Sequence, residues 1–348
     1  MKINHSQINK ILVIQLRAIG DVVLTTPVFS VLRKHFPQAE IHFLTSKNMA
    51  GLVQRLPEIN RVLIWPSSYW ALTYFYAKIL LSRYQLVIDY QCTPGSALTT
   101  WFTRSSYRIG WKMERRQWAY NLYSTANARQ EYVPVQKCRA LELVGIKELN
   151  TKLQIITDPA AQKIVNDYFK VLKIDHRRLI VNITPKGKRP ARQWSPEKII
   201  KLTDYLSQTY HAAVFYNWAG DELKYVKEIS RACHPPPFIL PAWPLTVFSA
   251  YLSQVDVHIS YDNGPKHVAM AVGTPTISLF ATDSPILWNP LDNPDHPYIL
   301  AQVPCRFCRL KKCPLMICMK SIEVSDVIKV LEEIPALQDK IKNNAYPE

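Results

Sequence analysis

Short apolar runs recur along the chain at Ile11–Leu16, Ile41–Leu44, Val62–Trp65 and Leu86–Asp89, and again at Leu179–Ile183, Ala213–Tyr216, Val257–Ser260 and Thr276–Phe280. Apolar runs this brief, bounded by amphipathic or loop segments, read as strands buried on both faces. Strands that alternate with helices predict an α/β fold with a parallel sheet in each half. Continuity is weakest between Thr151 and Arg178, so the chain is expected to divide into an amino-terminal unit, 1–165, and a second unit, 166–325. The remainder, 326–348, continues a helical spacing from Ser325 to Ile341. A length of 348 residues with 48% hydrophobic content accommodates two such domains, each with its own core.

The most informative stretch is Val255 to Pro285. Val255, Val257 and Ile259 alternate as a strand, the chain turns through Asp262, Asn263, Gly264 and Pro265, and Lys266 to Val272 takes up helical spacing. Pro265 suits the helix start, and Gly273 followed by Pro275 is the matching stop before a strand at Thr276–Phe280. Such a turn at a strand's carboxyl end offers free N–H groups and a helix dipole to an anion such as a diphosphate. Asp262 and His267 add polar side chains within one helical turn of that position. Any doubly wound sheet contains units of this kind, so the turn alone does not fix a ligand.

Ile11 to Pro27 is the second candidate. A strand ends at Leu16, a loop carries Arg17, Ala18, Ile19 and Gly20, and Asp21 stands where the next helix begins. Asp21 reads either as a plain helix cap or, if Thr26 caps a helix with Pro27 at its first position, as a carboxylate freed for chemistry. In the second case it is a candidate general base at the mouth of a parallel sheet.

Composition narrows the class. The net charge of +16 points to a polyanionic partner: nucleic acid, an anionic membrane face or a phosphorylated substrate. There is no run of about 18 apolar residues for a membrane span. The apolar start is cut off by Arg17, too early for a signal peptide, so a cytoplasmic location is expected. Seven cysteines, an odd number, favour reduced thiols over a disulfide framework. Nine glycines include no Gly-x-Gly-x-x-Gly turn, which argues against a nucleotide-dependent oxidoreductase.

From Pro66 to Tyr123 the chain is aromatic and basic. Tyr69–Leu81 reads as a core helix. Trp101 to Tyr123, which interleaves Arg104, Arg108, Trp111, Lys112, Arg115 and Arg116, reads as a surface for acidic, phosphorylated sugars that also rests on anionic lipid. Single-stranded nucleic acid uses the same mixture and is the rival reading. In the second half, Lys186 to Trp194 is a basic loop between a strand and a helix, a natural phosphate cradle without the P-loop spacing. Near the end, Cys305, Cys308, Cys313 and Cys318 form a cluster that either holds a tetrahedral structural zinc or stays as free thiols.

Two of these motifs, ILVIQLRAIGDVVLTTPVFSVLRKHFP and DNGPKHVAMAVGTPTISLF, stand in the order and separation of the ADP-heptose:lipopolysaccharide heptosyltransferase family, glycosyltransferase family nine, which the chain resembles. The resemblance implies a GT-B fold, two Rossmann-like domains facing a central cleft that closes on the substrates, with the helix of 326–348 packed back on the first domain. It implies metal-independent, inverting transfer of a heptose from ADP-heptose onto the inner core of lipopolysaccharide, with no cofactor. Asp21 matches the family's catalytic aspartate. Thr184, Arg192, Glu222, Trp243, Asp262, Asn263, Gly264 and His267 match donor contacts, and Arg17 lies on the acceptor side. Arg17 and Ala18 replace small hydroxyl residues common in the family, and Arg192–Gln193 replaces its lysine-led pair. The implied partners are a sugar nucleotide, the acidic lipopolysaccharide acceptor and the cytoplasmic face of the inner membrane, for a protein expected to be monomeric. Transfer of a different sugar to a surface glycan, or an inactive scaffold, are the alternatives these departures leave open.

Overall fold

The computed structural model describes residues 5–113, 115–187, 190–305, 307–308 and 313–345. Lys188 and Arg189 of the basic loop, and Arg306 and residues 309–312 between the cysteines, lie outside the described residues. The chain forms two compact units, residues 1–156 and 157–348.

In the first unit the strands are β1 (Lys10–Ile14), β2 (Glu40–Thr45), β3 (Arg61–Ile64), β4 (Leu86–Asp89), β5 (Tyr107–Trp111) and β6 (Leu122–Ser124). The helices between and after them are α1 (Ile19–Val23), α2 (Thr26–His35), α3 (Lys47–Val53), α4 (Tyr69–Leu81), α5 (Pro94–Phe102) and α6 (Val133–Arg139). The sheet runs β3-β2-β1-β4-β5-β6, every pairing parallel. Ile11, Leu12, Val13 and Ile14 are all fully buried, because helices cover both faces of a parallel sheet and no side of β1 meets water. Pro27 decides between the two readings of the Asp21 region. It falls in the first turn of α2, whose N-cap is Thr25, where its missing N–H costs nothing, and Asp21 is left in the separate one-turn helix α1.

Helix α4 is not the core helix expected. Among its described side chains only Ile79 is buried, while Trp70, Tyr74 and Leu81 are 81%, 65% and 77% exposed. The edge strand β3 beneath it is itself only half-covered, so one helix face suffices to close the sheet.

The second unit repeats the plan with β7 (Ile180–Ile183), β8 (Ala213–Tyr216), β9 (Phe238–Ile239), β10 (Val257–Tyr261), β11 (Thr276–Phe280) and β12 (Tyr298–Leu300), ordered β12-β11-β10-β7-β8-β9 and parallel throughout. Its helices are α7 (Pro159–Val171), α8 (Pro196–Thr209), α9 (Leu223–Arg231), α10 (Leu245–Leu252), α11 (Gly264–Ala271), α12 (Pro285–Trp288), α13 (Ile317–Ser321), α14 (Val324–Glu333) and α15 (Gln338–Ala345). Gly273, at φ +86°, ends α11 in the left-handed conformation that glycine adopts without strain.

The boundary lies earlier than 165/166. Asp158 caps α7 by accepting the Ala160 N–H at 2.9 Å, and Phe169 of that helix stacks among Phe215 and Tyr251 of the second core. The tail is also placed differently from expectation. Val324, Val327 and Leu331 of α14, with Ile334, Leu337 and Ile341, join the second unit's core beside Leu202 and Leu206 of α8. Six buried apolar residues spent there explain why the tail belongs to that unit.

Leu331→Ala is therefore expected to cost about 2–5 kcal/mol and Leu81→Ala on the open side of α4 less than about 0.5 kcal/mol, read as thermal midpoints of the intact chain.

Candidate active site

In both sheets the strand order reverses once, between β1 and β4 in the first unit and between β7 and β10 in the second. Loops at the carboxyl ends of strands diverge at such a point and leave a crevice. Asp21 and Gln91 follow β1 and β4; Thr184 and Asp262 follow β7 and β10.

The Asp21 turn is held from two directions. Gln91 Oε1 accepts the N–H groups of Leu16 at 3.0 Å and Arg17 at 2.9 Å and the Gln15 side-chain amide at 3.0 Å. From beneath, the ammonium of Lys137 on α6, 4% exposed, donates to Gln15 Oε1 at 2.9 Å, the Asp21 carbonyl at 2.8 Å and Thr25 Oγ1 at 2.6 Å. Burial pulls its pKa down to about 8, with the charge of Asp21 acting the other way. Asp21 is not the N-cap of α1, which is Ala18, yet its carboxylate is not free of the helix start either. Oδ2 accepts the Ala18 N–H at 3.2 Å, and Oδ1 meets no donor among the described residues. Neither Gln91 nor Lys137 was evident in the sequence. Lys137 lies more than a hundred residues from Asp21 in sequence, and only the fold brings its ammonium to the Asp21 carbonyl.

The expected acceptor residues separate into two groups. Arg17, Arg104, Lys112 and Arg115 are exposed. Arg108 instead spends its guanidinium on the Ser105 and Ala119 carbonyls, and Arg116 Nε donates to the Cys92 carbonyl at 3.1 Å. Trp111 donates its indole N–H to the Tyr90 carbonyl at 3.0 Å. These three fasten the loops around β5, because buried carbonyls beyond a strand's end need donors that the ladder no longer supplies. Trp101 and Trp118 meet edge to face with centroids 6.4 Å apart and remain about half exposed.

In the second unit, Asn263 caps α11 by accepting the Lys266 N–H at 3.1 Å, which leaves Gly264 at its first turn. The Lys266 side chain is fully buried. Its ammonium pairs with Asp262 at 3.0 Å, donates to the Trp288 carbonyl at 2.9 Å and lies 4.6 Å from the Phe280 ring. Burial lowers its pKa, opposed by Asp262. Arg192 joins the same cluster: Nε donates to Thr282 Oγ1 at 2.9 Å, Nη1 reaches Asp262 at 3.4 Å, and Nη2 pairs with Asp283. His267, 3% exposed, sits 3.9 Å from Asp262, and burial followed by the charge of Lys266 holds its pKa well below the usual value, so the ring is neutral. Arg192, Asp262, Asn263, Gly264 and His267 are thus brought together, and Lys266 is the member that the sequence did not single out.

Three other expected donor contacts are engaged elsewhere. Thr184 is 5% exposed and its hydroxyl donates to Asn217 Oδ1 at 2.8 Å, within a buried network that includes Asn182. Glu222 accepts the Ala219 N–H at 2.9 Å, the ordinary reciprocal bond of a helix start. Trp243 packs between Tyr168 and Tyr251, with centroids 5.0 and 5.7 Å away. Of the four clustered cysteines, Cys305 and Cys308 are exposed, Cys313 is half-buried and Cys318 is buried, all without disulfides. Among the described residues no three metal-ligating side chains converge.

Two doubly wound parallel α/β units in one chain, each with polar groups gathered at its switch point, are the GT-B architecture. The chain belongs to glycosyltransferase family 9 (heptosyltransferase), whose profile matches residues 74–318, and it is a glycosyltransferase. It is similar to lipopolysaccharide heptosyltransferase 3 of Escherichia coli K12, 27% identical over 286 residues, 78% of this chain and 82% of the relative. Similarity to the lipopolysaccharide core heptosyltransferase OpsX of Haemophilus influenzae is 23% over 290 residues, 82% of either chain. In fold it matches the family 9 glycosyltransferase of Veillonella parvula at a TM-score of 0.84 and 16% identity, across 99% of this chain and 100% of that one. The Escherichia coli ADP-heptose lps heptosyltransferase II matches at 0.77 and 19%, across 95% and 99%.

Lys137→Met should lower stability by about 1–3 kcal/mol, because three oxygens lose their donor. The loss depends on pH. The native ammonium titrates at about 8 and the unfolded one at 10.5, so between those values the unfolded chain binds the extra proton. Stability of the parent relative to Lys137→Met therefore rises with pH across that window. Urea unfolding of both proteins on either side of pH 8 measures the difference, and a pH-independent gap would contradict a desolvated ammonium.

Proposed function

We propose that this glycosyltransferase transfers a heptose from ADP-heptose to the inner core of lipopolysaccharide, with inversion and without a catalytic metal. The observation that carries the reading is the pinned turn at the first unit's switch point, which presents Asp21 with one carboxylate oxygen unengaged among the described residues. The relatives named above, lipopolysaccharide heptosyltransferases by name, supply the substrate class.

Asp21 Oδ1 takes the proton of an acceptor hydroxyl as that oxygen attacks the anomeric carbon opposite the departing diphosphate, in a single displacement through an oxocarbenium-like state. The second unit binds the leaving group. The N-terminal turn of α11 and the cations Arg192 and Lys266 supply fixed positive potential where negative charge grows. Arg192 is already shared between Asp262 and Asp283, so an arriving diphosphate competes with Asp283 for one face of the guanidinium. Asp262, anchored by Lys266, is set to accept a hydrogen bond from a donor sugar hydroxyl. Neutral His267 offers a hydrogen bond without adding charge. Arg17, Arg104, Lys112 and Arg115 meet the phosphorylated acceptor. The exposed Trp101, Trp118 and Tyr123 among them rest on the anionic cytoplasmic leaflet, each nearby cation contributing about 1 kcal/mol.

A panel of sugar nucleotides with purified core acceptor tests the reading through nucleoside diphosphate release. ADP-heptose should be turned over fastest, and Asp21→Asn should reduce kcat about 10²–10⁴-fold with the donor KM little changed. Arg192→Ala should raise the donor KM or lower kcat by at least about tenfold. Faster turnover of another donor replaces the substrate, and full activity of Asp21→Asn removes the base.

A further inference from the structure

Helix α4 is apolar nearly all round yet has only Ile79 buried among its described side chains. A helix of that composition needs an apolar neighbour, and its own unit covers one face alone. Between that face and β3 runs a half-open groove of about 400 Å³. Its two ends differ chemically, and the topology explains why. β1 and β3 are parallel and begin at the same edge of the sheet, while α4 runs back toward that edge. Lys10, Arg61 and Lys78 therefore gather at one end of the groove, and Leu63, Trp65, Ala71 and Phe75 line the rest. Lys10 is matched by Glu40 at 2.8 Å, so Arg61 and Lys78 carry the surplus positive charge. Glu40, the carboxylate at that end, is taken up by Lys10 and by His42 at 2.6 Å. Ala71 to Lys78 covers about 10 Å of helix, a reach suited to a length of alkyl chain.

We propose that this groove binds one acyl chain of an anionic phospholipid, with the phosphate held at Arg61 and Lys78 and the chain laid along Leu63, Trp65 and Phe75. An apolar trough with a basic end complements an anionic amphiphile, and neither a free phosphate nor a neutral chain uses both ends. Tyr74 lines the basic side of the groove, its ring 5.0 Å from the Lys78 ammonium, and the exposed outer side chains Trp70 and Leu81 enter the same lipid layer. This inference rests on the membrane contact proposed above and extends it from a surface to a site, one well removed in sequence from the Trp101–Tyr123 strip.

The test uses the intact chain and lysophosphatidylglycerol below its micelle concentration, by calorimetric titration and native mass spectrometry, with no vesicle and no sugar nucleotide present. One equivalent should bind, with lysophosphatidylcholine and inorganic phosphate at least about tenfold weaker. Ala71→Trp, an exposed position whose new ring fills the trough, and Arg61→Glu should each weaken binding by about tenfold or more. Trp118→Ser should leave it unchanged while reducing vesicle flotation. No binding, equal binding of the zwitterionic lysolipid, or binding indifferent to both groove variants overturns the proposal. Because transfer is not the readout, that failure is separate from failure of the heptosyltransferase reading, and flotation reports separately on the membrane contact itself.

Discussion

A buried ammonium must find oxygen or give up its proton, and in each half of this protein one such group organises the loops around the switch point. Lys137 satisfies itself with three uncharged oxygens beneath the Asp21 turn. Lys266 is paired with Asp262 beneath the first turn of α11. Desolvating either costs several kcal/mol, and the hydrogen bonds that offset the cost also fix the backbone around them. A turn tied in this way is held in one geometry, as the role proposed for Asp21 would require.

The two halves solve the problem with different chemistry. Under Asp21 the partners of the lysine are neutral, so the carboxylate's charge stays available above them. In the second unit the cations Arg192 and Lys266 are neutralised by Asp262 and Asp283 in the absence of substrate. On the reading proposed above, a diphosphate entering that cluster would exchange one anion for another, and the guanidinium would never be left bare. Two cations and two carboxylates balance there, so the buried charges are paired within the fold.

The surface follows from the same economy of burial. A sheet whose edge strand β3 is half-covered needs only one face of α4, and the other apolar side chains of that helix remain outward. The net charge of +16 disfavours self-association of such a chain and suits the anionic interface proposed above.

Local rules were enough to read a good part of this from the chain itself. Apolar runs bounded by turns located most of the strands, and Pro27 and Gly273 marked a helix start and a helix stop, because steric and hydrogen-bonding limits at those residues act over only a few neighbours. The same locality made the Asp21 turn and the Asp262–His267 turn visible. What required the tertiary structure was whatever depends on residues far apart in sequence. Gln91 holds the Leu16–Arg17 backbone only once β4 lies against β1, and Lys137 reaches the Asp21 carbonyl only once α6 packs on α2. Arg192 meets Asp262 only across the β7–β10 junction, and the same folding diverts Thr184, Arg108 and Trp111 to structural bonds. The tail's docking on the second core and the exposure of α4 were decided there too: amphipathic spacing says that a helix has an apolar face, and only the assembled sheets determine which core, if any, receives it.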